Sequence, residues 1–489
     1  MTDTDSYALA LLLASAAALV AVLLNRLTER TRIPTPLLML VGAAVIATFV
    51  PSLRTLDVVT VEHVVTVCLV LILFEGGLHI GWRRFRAAAG PIASVGLLGT
   101  FLTAAAGAVL LHQVFGLDWY LALLVATAVA PTDPAVVFSI LGQRQIRGRS
   151  GTILEGESGA NDPVGIALMG SLLAAGTLTW QAAGQVATTF VLQMLVGGVV
   201  GVLGGWAMLW FTRRVPLPNE ALYPLRSLLC AVALYGIATL AHGSGFLAVF
   251  IAGILLGDPG APYKREIERF HSALASFGEI VAFIVLGLTV DLSVVTRPDV
   301  WIPGLALGLG LAVLIRPIAA GLCLLPARLR PNELTFVLFA GLKGAVPILL
   351  GEFLRAAQVP EAERLYGIVV VVVTFSVLVQ GSLVHPVVRM LRLPNRTTEL
   401  EPWALGVRLS EEPNGVHRLR VAGGSPADGA TIGQLADRVG DMWVSIVVRD
   451  SRLVTIRQDT HLQAGDDVVI LADPELKAEL NAQFSVITR

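Results

Sequence analysis

Charged residues are scarce in this sequence. Asp, Glu, Lys and Arg make up 15% of the 489 residues, and hydrophobic residues make up 55%, whereas ordinary globular domains contain about 25% charged residues. The net charge of −1 gives no signature of nucleic-acid binding. The three cysteines, Cys68, Cys230 and Cys323, lie in apolar segments, which excludes a disulfide framework and a metal site with Cys ligand spacing. We therefore interpret the chain as a membrane protein.

Apolar runs of about 20 residues, the length that spans a bilayer, recur along most of the chain. The first follows an acidic start, MTDTDS, that lacks the basic region of a signal peptide, so we interpret it as a retained span. The ninth run is short. The thirteen predicted spans are 7–25, 33–50, 61–80, 89–115, 118–142, 151–175, 187–211, 221–241, 244–257, 271–291, 301–325, 332–354 and 366–388.

The loops between these spans predict an orientation, because cytoplasmic loops carry an excess of Lys and Arg. With the N-terminus outside, the inner loops hold nineteen basic residues and the outer loops hold four, Arg54, Arg297, Arg355 and Arg364. A missed or extra span would disturb this alternation. We expect a multi-pass protein of the plasma or inner membrane whose C-terminal tail is cytoplasmic.

The fifth and sixth spans contain acidic side chains at mid-membrane, where an ionised group costs at least about 2.5 to 3.5 kcal/mol. In the fifth span Pro131 and Pro134 bracket Thr132 and Asp133. Proline lacks a helical donor and clashes with the preceding turn, so we expect the helix to unwind there and expose carbonyl groups. Such a break is tolerated only when it is buried in protein or lines a wet cavity.

The sixth span places polar residues four apart. Ser158 and Asp162 form one such pair, and Glu157 and Asn161 form another, so each pair lies on one helix face. Together with the break at Asp133, the carboxylates, hydroxyls, amide oxygen and backbone carbonyls would suit a hard monovalent cation.

These residues resemble a known family. TDP followed, after a basic loop, by GESxxND is similar to the cation:proton antiporter-1 family, the sodium or potassium/proton exchangers. The resemblance implies that Asp162 binds the ion, with Asn161 beside it, and that Thr132, Asp133 and Ser158 complete the site for transported Na⁺ or K⁺. It also implies that Glu157 is a structural acid paired with an intramembrane arginine, for which Arg316 is the candidate.

A second interrupted span is predicted near the C-terminal end of the membrane region. The twelfth span carries LKGAVP at 342–347, with Lys343 beside a Gly and Pro pair, and it runs opposite to the fifth span. Paired interrupted spans of opposite direction indicate an alternating-access transporter with its site at the midplane. The expected fold class is an all-α polytopic membrane protein with about thirteen helices, inverted repeats, two broken crossing helices and a small cytoplasmic α+β C-terminal domain.

Two further acids are predicted about two turns from the inner surface. The resembled family has an acid at the position of Glu75, so Glu75 is a candidate for the cytoplasmic funnel. For Glu279 we weigh a place in the funnel and a satisfied buried acid equally.

The composition changes after Arg396. Residues 397–489 hold 9 basic and 14 acidic residues, whereas residues 1–396 hold 26 and 22. The chain therefore divides into a transmembrane exchanger domain, 1–396, and a cytoplasmic regulatory domain, 397–489. The tail's pattern predicts strands at 415–422, 442–449, 452–457 and 467–472 and helices at 431–438 and 474–483.

The tail resembles the C-terminal module of regulators of potassium conductance, which binds small ligands and dimerises. The resemblance rests on SPADGATIGQL and on the run from Ser445 to Leu476. The tail contains no GxGxxG after a strand, so the dinucleotide-binding half of those regulators is absent. The ligand of this module cannot be named from the sequence.

The prediction from these observations is a secondary antiporter, not an enzyme, in which a proton and a monovalent cation compete for Asp162. One titrating carboxylate implies one proton per cation and electroneutral exchange, unless Asp133 or Glu157 titrates with it. We expect no cofactor; the partners are membrane lipid and a second copy of the chain. The sequence is compatible with either sodium or potassium as the transported cation. The main alternative is a ligand-gated cation channel, although the sequence has no TVGYG-like filter; an organic-anion symporter is a weaker one.

Overall fold

The computed structural model describes residues 19, 35–50, 57–134, 137, 144–146, 149–258, 263–391, 395–397, 415–449 and 452–485. Contacts divide the chain into two compact units, Met1–Glu399 and Leu400–Arg489. This division falls three residues after the boundary predicted from composition.

The first unit is helical. Its helices are α1 Thr35–Phe49, α2 Val58–Ala93, α3 Thr100–Phe115, α4 Trp119–Ala128, α5 Arg149–Ala175, α6 Trp180–Arg214, α7 Leu222–Leu240, α8 Gly245–Leu256, α9 Lys264–Thr289, α10 Leu292–Val295, α11 Pro298–Gly310, α12 Arg316–Leu324, α13 Pro331–Phe339, α14 Ala345–Ala356, α15 Ala362–Phe375 and α16 Val384–Met390.

Six helical segments among the described residues are long and apolar enough to cross a membrane, and Leu38–Phe49, Trp119–Ala128 and Gly245–Leu256 are shorter apolar helices. The first predicted span, 7–25, lies outside the described residues apart from Leu19. The gap predicted between the third and fourth spans is helical except at Gly81, whose φ of 64° and ψ of 157° leave the helical region. Glycine alone adopts such a conformation readily, so a single residue redirects the chain.

Glycines allow α6 to pack closely against the segment that begins α8. A Cβ added at Gly197 would lie 2.5 Å from the Ser244 carbonyl oxygen, and one at Gly201 would lie 2.8 Å from that of Ala248. Their spacing of four residues puts both on one face of α6. This small-residue face is therefore used inside the chain, as such faces are in other helical membrane proteins.

In the described part of the chain, three π-helical turns interrupt the long helices: Ser94–Gly99 after α2, Leu311–Ile315 before α12 and Ser376–Gln380 after α15. Such turns are rare and occur frequently at functional sites. The second directly precedes Arg316, and a residue of the third contacts Lys343. The sequence pattern did not predict any of them, because a π turn has no distinct hydrophobic period.

A short antiparallel ribbon joins two distant parts of the first unit. Strand β1, Arg144–Ile146, pairs with β2, Asn395–Thr397, so that Arg144 lies opposite Thr397. The first strand lies in the loop before α5 and the second follows the last helix of the unit.

The second unit is a small α+β fold. Strands β3 Val416–Arg420, β4 Met442–Arg449, β5 Arg452–Leu453 and β6 Asp467–Ala472 form an antiparallel sheet in the order β3-β6-β4-β5, and its helices are α17 Ile432–Val439 and α18 Lys477–Phe484. Leu435, Val447 and Leu480 are fully buried in its core. The predicted strands and helices are confirmed, although β5 is shorter than predicted.

An ion pair between Arg449 and the buried Asp466 connects β4 of this unit to the turn before β6. Arg449 donates two hydrogen bonds, of 2.9 and 2.8 Å, to the Asp466 carboxylate, and the Gln463 N–H donates a third of 2.8 Å. Burial disfavours the charged form of Asp466, but these hydrogen bonds and the Arg449 charge outweigh it and lower the pKa of this carboxyl. The pair therefore stabilises the unit above the carboxyl's unfolded pKa, about 4, and this stabilisation is lost as the pH falls through the lower folded value.

The Asp466→Asn substitution is expected to destabilise the second unit by roughly 2 kcal/mol, since it weakens hydrogen bonds to a charged group. Hydrogen–deuterium exchange of peptides from 415–485 in the full chain, corrected for intrinsic rates, measures this loss. The variant should also lose part of the acid sensitivity below about pH 4. The matched control is Asp467→Asn, since the neighbouring Asp467 side chain is 65% exposed; equal effects of the two substitutions would contradict the prediction.

Candidate ion-binding site

The two predicted helix interruptions are both observed, and they contact each other. Helix α4 ends at Ala128, and residues 130–133 are not helical. The second interruption lies between α13 and α14, at residues 340–344. The Asp133 N–H donates a 2.7 Å hydrogen bond to the Leu342 carbonyl oxygen. The unwound backbones therefore satisfy part of each other's hydrogen-bonding requirement.

The side chain of Lys343 stabilises the same contact between the two interruptions. Its buried ammonium group donates hydrogen bonds of 3.0 Å to the carbonyl oxygens of Ala130 and Pro131. These carbonyls lie just beyond the end of α4, where helical acceptors lose their partners. The partner of Lys343, which the sequence did not reveal, is thus backbone of the opposite interruption.

Glycine is required where the second interruption faces Asp133. A Cβ added at Gly344 would overlap the Asp133 carboxylate, and it would lie 2.5 Å from the Asp133 Cβ. A rotation of the Asp133 side chain would not relieve the overlap with its Cβ, so the close approach of the two segments depends on the absence of a side chain at Gly344.

Helix α5 presents its predicted polar residues towards the first interruption. The Asn161 side-chain N–H donates a 2.8 Å hydrogen bond to Thr132 Oγ1, and the Thr132 hydroxyl donates one of 3.4 Å to Glu157 Oε1. The Thr132 N–H also donates to Asn161 Oδ1 at 3.4 Å. The Asn161 side chain therefore orients both the hydroxyl group and the backbone N–H of Thr132.

The predicted pair of Glu157 and Arg316 is formed. Two guanidinium nitrogens donate to the two carboxylate oxygens at 2.7 and 3.1 Å, and both side chains are buried, at 1% and 7% exposure. Arg316 also donates to the carbonyl oxygens of Val337 and Leu338, near the end of α13. The guanidinium thus links α5, α12 and the last turn of α13, which leads into the second interruption.

Asp162 and Ser158 lie one turn apart on α5, and both are buried. The charged neighbours of Asp162 are Asp133 and Lys343. The structure therefore gathers Thr132, Asp133, Glu157, Asn161, Asp162, Arg316 and Lys343 around the two interruptions. A buried acid beside a second acid, two hydroxyl groups and a lysine is an arrangement that can hold either a proton or a small cation.

Two residues that the sequence interpretation missed support the second interruption. Ser376 Oγ accepts a 3.1 Å hydrogen bond from the Lys343 N–H and donates one of 3.1 Å to Gln380 Oε1, and the Gln380 amide N–H in turn donates to the Phe339 carbonyl oxygen. A signal was present, because Ser376 and Gln380 are polar residues four apart in a valine-rich span.

A buried acid on α14 was also missed. Glu352 is fully buried and accepts hydrogen bonds of 3.0 and 2.9 Å from Arg355, whose side chain is 19% exposed. Arg355 also pairs with Glu363 at 2.8 Å. Glu352 and Glu157 are both neutralised by an arginine.

The two funnel candidates occupy different surroundings. Glu75 lines a cavity of about 210 Å³ at the end of the bundle where α9 begins, together with Leu78, His79, Glu268, Arg269 and Ser272. Nearby, Arg84 pairs with Glu155 at 2.9 Å. Glu279 is not a lining residue of this cavity and lies deeper along α9.

Two interrupted helices that meet at buried carboxylates define a secondary transporter rather than an enzyme. A family model described as "Sodium/hydrogen exchanger, transmembrane" matches residues 15–390. The chain belongs to this family of cation/proton antiporters. The channel alternative is therefore wrong.

Curated relatives extend the likeness over the whole chain. The chain is 33% identical over 419 residues to the K(+)/H(+) antiporter NhaP of Alkalimonas amylolytica, an alignment that covers 83% of this chain and 71% of the relative. It is 30% identical to the K(+)/H(+) antiporter NhaP2 of Shewanella sp. (strain MR-4), over 99% of this chain and 84% of the relative. The fold is that of the sodium proton antiporter MjNhaP1 from Methanocaldococcus jannaschii at pH 8, with a TM-score of 0.66 and 21% identity over 77% of this chain and 99% of that one.

Proposed function

We propose that the chain exchanges one monovalent cation for one proton at Asp162. The observation that carries the proposal is the position of this carboxyl group, buried on α5 with Asp133 and Lys343 as its charged neighbours. The residues assigned to the site are Asp162, Asp133, Ser158 and Thr132 as ligands of the transported ion, with Glu157, Asn161, Arg316 and Lys343 as the supporting network.

The exchange follows from competition for one carboxylate. A protonated Asp162 has no charge with which to bind a cation, and a bound cation displaces the proton, so the group carries one or the other. Thr132 and Ser158 supply neutral oxygen ligands, which hard cations prefer. Movement of the part of the bundle that holds Asp162 then exposes the site to the opposite side, as in other transporters with paired broken helices.

Potassium is the cation we propose. The K(+)/H(+) antiporter relatives from Shewanella align with 99% of the chain, a length that includes the C-terminal unit. The Na(+)/H(+) antiporter NhaP of Pseudomonas aeruginosa is 27% identical over 357 residues, or 68% of this chain. The more extensive relationship therefore supports potassium over sodium.

The same proposal includes an orientation and a regulatory role for the tail. The excess of basic residues on alternate loops supports thirteen spans, an external N-terminus and a cytoplasmic C-terminal unit in the inner or plasma membrane. The α+β fold of that unit is compatible with a regulator-of-potassium-conductance module that binds a small ligand. The resemblance further supports a homodimer in the lipid bilayer.

Proton movement in proteoliposomes with an imposed pH gradient tests this function. Adding potassium should collapse the gradient, and clamping the membrane voltage should leave the rate unchanged, because one positive charge moves each way. Choline is the control for ionic strength, and sodium measures selectivity. A collapse driven by sodium alone would reject the potassium assignment, and a rate that follows the voltage would reject the one-to-one stoichiometry.

A further inference from the structure

Two polar side chains are buried in the π turn that continues α15. Ser376 and Gln380 are 3% and 6% exposed, and they are the first and last residues of this turn. The run just before it, residues 369–373, consists of five buried valines. Burying a polar side chain in such surroundings costs free energy unless it forms hydrogen bonds, so the partners of these two side chains indicate their role.

The hydrogen bonds of this pair reach both ends of the second interruption. The Gln380 amide N–H donates to the Phe339 carbonyl oxygen, at the end of α13. Gln380 Oε1 accepts a 3.1 Å hydrogen bond from the Ser376 hydroxyl, and Ser376 Oγ accepts one of 3.1 Å from the Lys343 N–H, just before α14. A single turn of helix therefore holds the backbone on either side of residues 340–342.

The N–H that Ser376 binds belongs to the same peptide group as the Leu342 carbonyl. This carbonyl accepts the 2.7 Å hydrogen bond from the Asp133 N–H. A trans peptide group is planar, with its N–H and C=O on opposite sides, so Ser376 and Asp133 bind opposite sides of one rigid unit. A change of tilt on the Ser376 side therefore moves the acceptor of the Asp133 N–H.

The Lys343 side chain extends the same constraint to the first interruption, where its ammonium group donates to the carbonyl oxygens of Ala130 and Pro131. A like-charged group, Arg316, is a neighbour of this ammonium. Arg316, Lys343 and the two polar side chains of the π turn line one cavity of about 10 Å³, which has room for about one water molecule. Because like charges repel, a fixed Lys343 backbone helps to keep the ammonium on its two carbonyl oxygens.

We propose that Gln380 is a positioning residue for the cation site and acts through Ser376. It sets the orientation of the peptide group before Lys343, and this orientation sets the positions of the Asp133 backbone and of the lysine ammonium. Asp133 and Lys343 are the charged neighbours of Asp162. Gln380 itself binds neither the proton nor the cation. The inference rests on the proposed function, in which Asp162 is the exchange site.

The test measures initial rates of proton movement in proteoliposomes against potassium concentration, with sodium in a parallel series. Ser376→Ala removes the hydroxyl group that accepts the Lys343 N–H, and Gln380→Met removes the amide group from a side chain of similar length. Each substitution should raise KM roughly two- to ten-fold, the range that the net strength of one hydrogen bond allows. The saturated rate should stay close to native, because Asp162 is intact.

Two comparisons make this result specific. Ser171→Ala is the matched control, because Ser171 is 1% exposed on α5, the helix of Asp162, and its hydroxyl group donates only to the Ala167 carbonyl oxygen of the same helix. It should keep the native KM. The double variant of Ser376→Ala and Gln380→Met should raise KM no further than the larger single effect, since both residues act through one chain of hydrogen bonds.

The KM values separate a positioning role from a packing role. If the pair only supported packing, both variants would unfold at a lower temperature and the folded protein would keep its native KM; this result would overturn the proposal. It would also be overturned by an equal rise of KM in Ser171→Ala, or by a double variant whose effect is the product of the two single effects. Retention of exchange by Asp162→Asn would instead reject the proposed function, so the two failures are distinguishable.

Discussion

Asp162→Asn is expected to reduce cation-dependent proton movement to the level of liposomes without protein. Asparagine has nearly the volume of aspartate and keeps a carbonyl oxygen, so the fold should be retained. It neither binds a proton reversibly nor carries the charge that holds a cation. Because both halves of the exchange depend on this one group, the loss should be complete rather than partial. The measurement is the collapse of a preformed pH gradient on adding potassium or sodium.

The matched comparison for this result is Asp133→Asn, which changes the neighbouring acid of the same site. If Asp162 alone carries the proton, Asp133→Asn should keep exchange and show a higher KM for the cation, since one of the ligands has lost its charge. Asp299→Asn, which alters a 40% exposed acid, should behave as the native protein. Exchange in Asp162→Asn together with none in Asp133→Asn would transfer the proton-carrying role to Asp133.

Arg316→Met is expected to destabilise the membrane unit by about 3 to 5 kcal/mol, the usual cost of removing one partner of a buried ion pair. The substitution leaves the Glu157 carboxyl group, at 1% exposure, without its counter-charge. It also removes the hydrogen bonds to the Val337 and Leu338 carbonyl oxygens. Thermal unfolding of the purified protein in detergent should show this as one of the largest decreases among single substitutions in the chain.

The double variant Glu157→Leu with Arg316→Met provides the decisive comparison. Removing both charges leaves neither one stranded, so the double variant should be more stable than Arg316→Met alone. Arg297→Met serves as the control of an exposed pair, because Arg297 and its partner Asp299 are 56% and 40% exposed, and it should cost less. Simple addition of the two single effects would show that the pair is not coupled.

The interruptions were predictable because their causes are local. Pro131, Pro134 and Pro347 mark them in the sequence, and the rules for proline act within one helical turn. The pair of Glu157 and Arg316 was predictable for a different reason: a buried acid needs a counter-charge, and few intramembrane arginines are available. In these cases the residue type alone restricts the structure to few possibilities.

The parts of the site that were not predictable depend on backbone groups and on packing at a distance. The ammonium group of Lys343 binds the carbonyls of Ala130 and Pro131. Every residue has a carbonyl group, so residue types do not indicate which carbonyls a lysine binds. The π turn at Ser376–Gln380 sets which side chain faces the second interruption. Its effect appears only when the helices are assembled.

The ribbon of β1 and β2 brings the segment after the last helix of the first unit next to the segment before α5, although the two are far apart along the chain. Some 250 residues separate Arg144 from Thr397, yet their backbones are paired, and β1 ends three residues before the start of α5. The segment that leads to the C-terminal unit is thereby anchored next to the helix that carries Asp162. A displacement of residues 395–397 therefore acts directly on the residues just before α5, and it does not have to pass through the rest of the helical bundle.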